Sequence, residues 1–136
     1  MREITSPPKE TRPTIFLVEE DDDTRPSLTN NLRKLGYRLL VAADLEDALE
    51  WMSLDVVIHA DLVLINLVGR TPEEALSAGR RLRDHARYDG QTPLVVMPEK
   101  VSEDVAGTDV NVSGHDWICY YENSEQLHAL LRRLIA

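Results

Sequence analysis

Apolar residues along the chain fall into two kinds of stretch. Short, nearly continuous runs predict strands that are covered on both faces; they are TIFLV at 14–18, YRLLVA at 37–42, DLVLIN at 61–66, TPLVVM at 92–97 and WICY at 117–120. Between them lie stretches whose apolar residues recur every three or four positions, which predicts amphipathic helices. This alternation predicts a doubly wound α/β fold, with a five-stranded parallel sheet and helices on both faces.

Residues that begin and end helices flank several of these stretches. Pro26 suits the start of the first helix, and Gly36 suits its C-terminal cap. Asp44 is a candidate N-cap of the second helix. The segment TPEE at 71–74 predicts a capped start for the third, which we expect to end near Arg87.

Two stretches do not have a clear assignment. LDVVIHA at 54–60 could end the second helix or form a strand of its own. The segment 98–114 lies where a fourth helix should be, yet it contains Gly, Thr, Val and Asn, which are poor helix formers. We therefore expect a fourth helix that is short or irregular, or a mobile segment.

Composition narrows the classes of function. The 136 residues suit one domain with one core. Because the chain has 24 Asp and Glu against 15 Lys and Arg, nucleic acid is not expected as a direct partner. No apolar run approaches the roughly 20 residues needed to cross a bilayer, so we expect no membrane partner.

The first residues, MREITSPPKETRP, lack the apolar stretch of a signal peptide. We expect residues 1–12 to be a flexible leader and residues 13–136 to form the domain. The single cysteine, Cys119, excludes an internal disulfide and fits a cytoplasmic protein. We expect Cys119 to be a buried core thiol.

Several predicted strands end in polar or conformationally restricted residues. Glu19 and Glu20 follow the first strand, Asn66 ends the third, Pro98 follows the fourth, and Tyr120 ends the fifth. In open parallel sheets, ligands bind beyond the C-terminal ends of the strands. These residues are therefore the candidate site.

The segment IFLVEEDDDTRPSLTNNLRKLGYRLLVAADLEDALEWM, followed by DLVLIN, resembles the receiver domain of two-component response regulators. The resemblance covers about Thr14 to Ile135 and implies a flavodoxin-like sheet of strand order 2-1-3-4-5. In this family an acidic pair after strand one binds a divalent cation, and an aspartate ending strand three accepts a phosphoryl group. A Ser or Thr ends strand four, and a lysine lies in strand five.

Only part of the family's pattern is present. Glu19 and Glu20 fall on the acidic pair, and Arg25 falls on a basic position of the first helix. Asn66, however, falls on the phospho-acceptor. An acyl phosphate forms only when a carboxylate oxygen attacks phosphorus, which an uncharged amide cannot do.

The switch positions implied by the resemblance are also replaced. Pro98 falls on the Ser or Thr, and it offers neither a hydroxyl nor a backbone N–H. Tyr120 falls on the lysine and carries no fixed positive charge. Trp117 falls on an aromatic switch position, although it could equally be a strand aromatic that packs under the last helix. Together the replacements indicate a degenerate pseudo-receiver that takes no phosphate.

The acidic pocket of Glu19, Glu20 and Asn66 could be satisfied without metal, because Asn66 and Tyr120 can donate hydrogen bonds to the carboxylates. We therefore expect no required cofactor. Weak Mg²⁺ binding is the alternative, because carboxylate and amide oxygens suit hard cations.

We expect a signalling protein, not an enzyme, since no base, nucleophile and oxyanion donor converge in the sequence. Its expected partner is an output protein or a histidine kinase, or it self-associates. By the family resemblance, the interaction face would include Trp117, Tyr121, Leu127 and Leu131.

Two other functions stay open at this point. One is a module that senses a divalent metal or a small ligand in the acidic pocket. The other is a receiver phosphorylated at a different acceptor, such as Asp22 or Asp61. Four arginines of the third helix, Arg80, Arg81, Arg83 and Arg87, could bind an anion, but we expect them to be solubilising.

Overall fold

A computed structural model describes residues 12–52, 59–86, 88 and 90–135. Their elements are β1 (Thr14–Glu19), α1 (Arg25–Lys34), β2 (Arg38–Ala42), α2 (Leu45–Met52), β3 (Leu62–Asn66), α3 (Pro72–His85), β4 (Leu94–Val96), β5 (Asp109–Ser113), β6 (Asp116–Cys119) and α4 (Ser124–Leu134). Nearly all of the expected leader, the ambiguous residues 56–58 and Arg87 lie outside this description.

The six strands of the described residues belong to one sheet, with the order β2-β1-β3-β4-β6-β5. The first five strands in this order are parallel, as the sequence predicted, and β5 is antiparallel to β6. The expectation of a purely parallel, five-stranded sheet is therefore wrong, because the sheet has six strands and is mixed.

The sixth strand comes from the segment expected to contain a fourth helix between the last two parallel strands. Residues 103–107 form turns, and Asp109–Ser113 form a hairpin with β6. Gly107 and Gly114, with φ of 88° and 48°, allow the chain to turn on either side of β5. The β-branched valines of β5 favour a strand over a helix, which explains the outcome.

Helices cover both faces of the parallel part of the sheet and divide the core in two. One half packs beneath α2 and α3 and includes Phe16, Val18, Val63, Ile65, Leu82 and Ile118. The other packs beneath α1 and α4 and includes Ile15, Leu17, Leu32, Leu64, Val95 and Leu130. Successive strand residues alternate between the two halves, so each strand is apolar on both faces.

Local signals for the helix ends are confirmed. Thr71 and Glu74 form a reciprocal capping box, in which each side chain accepts the other residue's backbone N–H. Asp44 accepts the N–H of Asp47 at the start of α2. Gly36 follows α1 with φ of 98°. Helix α3 ends at His85, close to its expected end.

Two of the α3 arginines are not merely solubilising. Arg80 Nε and Arg83 donate to opposite oxygens of the buried Asp116 carboxylate, each at 2.7 Å. Burial by itself would raise the pKa of Asp116, but the hydrogen bonds from Arg83 and Arg80 outweigh it and lower that pKa. This ion pair network fastens the hairpin of β5 and β6 to α3.

Candidate functional site

The centre of the candidate site is a side-chain contact between the ends of two neighbouring strands. Glu19 of β1 lies directly beside Asn66 of β3 in the parallel register. Asn66 Nδ2 donates a hydrogen bond to Glu19 Oε2 at 2.8 Å. The structure thus brings together two of the residues that the sequence singled out.

Glu19 is fully buried, and this determines its protonation. Burial raises the pKa of Glu19 from 4.5 to about 7, although the N–H of Asp21 and the amide of Asn66 both lower it by hydrogen bonding to the carboxylate. A carboxyl group with this pKa is partly protonated at neutral pH.

Two buried acceptor atoms at this contact, Glu19 Oε1 and Asn66 Oδ1, have no hydrogen-bond partner among the described residues. Unpaired buried acceptors cost free energy unless a donor reaches them. A proton on Glu19 supplies a donor beside Asn66, which fits the raised pKa of the carboxyl group.

Glu20, the second member of the acidic pair, has a different environment. One of its carboxylate oxygens accepts the N–H of Leu45 at 3.1 Å, and the other accepts the N–H of Val68 at 2.9 Å. Glu20 thereby caps the first turn of α2 and holds the loop after β3. Each of its two oxygens therefore accepts a backbone hydrogen bond.

Arg25 is placed by the loop that follows β1. It donates to the backbone carbonyl of Glu19 at 2.8 Å and pairs with Asp22. Asp21 accepts the backbone N–H groups of Asp23 and Thr24, and the hydrogen bond from Asp23 lowers its pKa. The acidic run is therefore a hydrogen-bonded turn leading into α1.

A cleft of about 340 Å³ opens beside Asn66, between α1 and the loop after β4. Its lining is Asp21, Thr24, Ser27, Leu28, Asn31, Asn66, Met97, Pro98, Glu99, Val101 and Tyr121. None of these lining residues is basic. The basic residues Arg70 and Lys100 line a neighbouring cleft, which shares Pro98 and Glu99 with this one.

The structure places Tyr120 away from the cleft in which the sequence predicted it to lie. Tyr120 packs against the core half beneath α2 and α3, on the opposite face from the cleft. Tyr121 is the tyrosine that lines the cleft with Asn66 and Pro98. Successive side chains along a strand point to opposite faces of the sheet. Trp117 faces the core half beneath α1 and α4. Tyr121, four residues later, therefore points to the same face as Trp117.

Trp117 makes the packing contact that one of its two anticipated roles requires. It packs on the face beneath α4, where the guanidinium carbon of Arg133 lies 5.3 Å from the centre of its ring. This is the geometry of a cation–π contact. Trp117 is therefore held between the sheet and the last helix.

The expected interaction face is only partly at the surface. Leu127 and Leu131 are buried beneath α4, because their helical spacing turns them towards the sheet. They cannot contact a partner in the folded protein. Tyr121, in contrast, is 37% exposed at the rim of the cleft.

The contacts of the acidic pocket bear on the alternative of weak Mg²⁺ binding, for which two oxygens without a hydrogen-bond partner, Glu19 Oε1 and Asn66 Oδ1, remain among the described residues. Mg²⁺ requires several oxygen ligands in a near-octahedral arrangement, usually including water. Both oxygens of Glu20 accept backbone N–H groups, and the amide nitrogen of Asn66, a donor, faces Glu19. Within the described ranges, no three His, Cys, Asp or Glu side chains are grouped as a metal would need.

One contact of the site could not be anticipated from the sequence. Gly69 donates its N–H to Glu99 at 3.0 Å, which joins the loop after β3 to the loop after β4. Glu99 follows Pro98 directly and lines the cleft. Nothing in the local sequence distinguishes it from other exposed acids.

Comparison with solved structures identifies the fold. The chain is similar to the chemotaxis protein CheY4 of Vibrio cholerae, with 18% identity, a TM-score of 0.64, and coverage of 92% of this chain and 100% of that one. It is also similar to a response regulator receiver protein from Sinorhizobium medicae, with 17% identity, a TM-score of 0.67, and coverage of 92% and 95%.

A third similar structure is the receiver domain of a sensor histidine kinase from Pseudomonas aeruginosa, which carries a magnesium ion in its active site cleft. It is 22% identical, with a TM-score of 0.63, and the match covers 92% of this chain and 98% of that one. No family model matches the sequence, and no curated protein matches it. The chain therefore has the flavodoxin-like receiver fold.

The helices in the described part of the chain are all too short or too polar to cross a membrane.

Proposed function

We propose that this protein, which has the receiver fold, is a cytoplasmic signal-transduction module that works without phosphorylation and without enzymatic activity. It acts through contacts with a protein partner, either an output protein or histidine kinase, or a further copy of itself. The single cysteine is buried as a free thiol, which agrees with a reducing compartment.

The hydrogen bond from Asn66 to Glu19 carries this proposal. An amide can donate to a buried carboxylate whether or not that group is ionised, whereas an ionised aspartate at residue 66 would repel Glu19 whenever Glu19 is ionised. Asn66 is therefore part of a contact that depends on its being an amide. It offers no nucleophilic oxygen for a phosphoryl group.

The surroundings of Asn66 support the same function. Phosphoryl groups are commonly held by backbone N–H groups and cations. The N–H of Val68, two residues after Asn66, already donates to Glu20, and that of Gly69 donates to Glu99. Internal carboxylates thus occupy donors that an external anion would need.

The test is incubation with acetyl phosphate and Mg²⁺, followed by intact-mass and peptide mass spectrometry. A conventional receiver treated in parallel establishes that the conditions phosphorylate an aspartate. We expect no adduct on this protein, and no spectral change with beryllofluoride. A stoichiometric adduct at any residue, including Asp22 or Asp61, would refute phosphorylation-independence.

One observation favours a second function, the sensing of a small ligand. The cleft beside Asn66 is bordered by the hydroxyl and amide side chains of Thr24, Ser27 and Asn31. A ligand that carries amine or amide groups could form hydrogen bonds with these side chains. A thermal-shift screen of amines and amides tests this, because a ligand that binds the native state raises the melting temperature.

A further inference from the structure

A second cleft adjoins the one described above. It has a volume of about 330 Å³ and lies between the loop after β3 and the loop after β4, where Arg70, Thr71 and Lys100 line it. The two clefts are neighbours, because Pro98 and Glu99 line both of them. Each has the size of a small-molecule site, since such sites commonly measure about 300–1,000 Å³.

Two cationic side chains line the second cleft, Arg70 from the loop after β3 and Lys100 from the loop after β4. Within the described ranges neither has a carboxylate at ion-pair distance, in contrast to Arg25, Arg80 and Arg83. No salt bridge to a described residue therefore neutralises their charges. Guanidinium and ammonium groups are the usual side-chain ligands of phosphate, and here both kinds border one space.

Two further residues determine what the second cleft can accept. Thr71 Oγ1 accepts the N–H of Glu74 at 3.1 Å, so its hydroxyl hydrogen can be donated to a ligand. Glu99 is the one acid among the residues that line this cleft, and it accepts the N–H of Gly69 at 3.0 Å. Two cations against one carboxylate leave the cleft positive, in a chain whose formal net charge is -9.

The first cleft offers hydrogen bonds and an aromatic ring. Thr24, Ser27 and Asn31 border it with hydroxyl and amide groups, and Tyr121 lies at its rim. A flat ring can stack on the tyrosine while groups on its edge form hydrogen bonds with the other three side chains. Asp21 also lines this cleft, so an uncharged group is favoured here over an anion.

We propose that the two clefts together bind a nucleotide, with its phosphate between Arg70 and Lys100 and its base in the first cleft against Tyr121. A nucleotide has the required chemistry, because its base is flat and carries donors and acceptors on its edge, while its phosphate is anionic. Side chains hold the phosphate, so binding does not require the N–H groups that Glu20 and Glu99 already occupy.

Binding of the nucleotide is non-covalent, and the phosphate stays on the nucleotide. The inference rests on the second candidate function proposed above, the sensing of a small ligand, and it names the class of that ligand. It is independent of whether the protein can be phosphorylated.

The experiment titrates the isotope-labelled 136-residue chain with AMP, GMP, CMP and UMP at physiological salt and follows its backbone amide signals by NMR. We expect at least one nucleotide to shift the signals of Arg70 and Lys100 in the second cleft together with that of Tyr121 in the first. Inorganic phosphate and the matching nucleoside each occupy only one cleft, so both should bind roughly tenfold more weakly or worse.

The double variant R70Q/K100Q removes both cations and should weaken nucleotide binding by roughly tenfold or more. R33Q/K34Q is the matched control, because it removes one exposed arginine and one exposed lysine from the last turn of α1, and it should bind like the wild type. Glu99→Gln should tighten binding, because its amide oxygen can still accept the same N–H while the negative charge is gone. Circular dichroism checks that every variant is folded.

Three results would overturn the inference. They are a wild type in which no nucleotide shifts the signals of both clefts at millimolar concentration, inorganic phosphate that binds as tightly as every nucleotide, and an R70Q/K100Q variant that binds like R33Q/K34Q. The first two use only the wild type, so they do not depend on the folding of a variant. If an amine or amide raises the melting temperature while no nucleotide binds, ligand sensing stands and only the nucleotide is excluded.

Discussion

Asn66 and Glu19 are joined side chain to side chain, with Nδ2 of the amide 2.8 Å from Oε2 of a fully buried carboxylate. The two residues are neighbours in the parallel register of β3 and β1. An aspartate at residue 66 would be almost the same shape as the amide but would carry no donor when ionised. The identity of this one atom therefore determines whether the side chain of residue 66 attracts or repels an ionised Glu19.

Asn66→Asp should destabilise the protein by up to about 3 kcal/mol at about pH 8, where Glu19 is ionised, because it replaces a hydrogen bond with a second carboxylate beside a buried one. The loss should shrink at about pH 5, where Glu19 is protonated and can donate to the aspartate. Urea unfolding at both pH values measures it. Asn30→Asp, at an exposed position on α1, is the control and should have little effect. Equal losses at both residues would contradict the expectation.

The titration of Glu19 should make the protein less stable as the pH rises. The folded-state pKa is about 7, against 4.5 for an unperturbed group. The native state therefore binds more protons than the unfolded state between these values, and the free energy of unfolding falls as the pH rises from about 4.5 to 7. The full difference is up to about 3 kcal/mol.

Glu19→Gln isolates this contribution from the other carboxylates. The glutamine oxygen can still accept from Asn66, and its amide can donate to the unpaired Asn66 Oδ1. We expect the variant to match the wild type near pH 4 and to be more stable above pH 7. A pH-independent difference between the two proteins would show that Glu19 has an ordinary pKa.

Glu20→Ala should loosen the start of α2 and the loop after β3 together, because it leaves the N–H groups of Leu45 and Val68 without acceptors. The expected cost is about 1–3 kcal/mol of unfolding free energy. Amide hydrogen exchange by NMR should show both N–H groups losing protection. Glu46→Ala, an exposed acid in the first turn of α2, should leave them protected.

Asp116→Ala should detach the hairpin of β5 and β6 from α3, because it leaves Arg80 and Arg83 without their shared carboxylate. The expected loss is about 3 kcal/mol, measured by chemical denaturation. Arg81→Ala removes an exposed arginine of the same helix and should be nearly neutral. If both substitutions cost the same, the ion pair network does not stabilise the hairpin.

Much of the fold could be predicted from the sequence, because the information is local. The apolar run at 61–66 contains β3, because a strand that is buried on both faces requires apolar residues. TPEE begins α3, because the first N–H groups of a helix need acceptors that Thr71 and Glu74 supply. The acidic residues and Asn66 at the strand ends were found because parallel strands end on one side of the sheet.

The rest was decided by contacts between residues distant in sequence. Whether residues 109–113 form a helix or an edge strand depends on pairing with β6, and weak helix propensity alone left that open. Glu20 accepts hydrogen bonds from N–H groups that are 25 and 48 residues away along the chain. Tyr121 lines the cleft because it points to the same face of the sheet as Trp117, which packs beneath α4. Local patterns specify which residues are buried and which are polar. The tertiary structure determines which residues contact each other, because the contacting residues come from strands and loops that are distant in sequence.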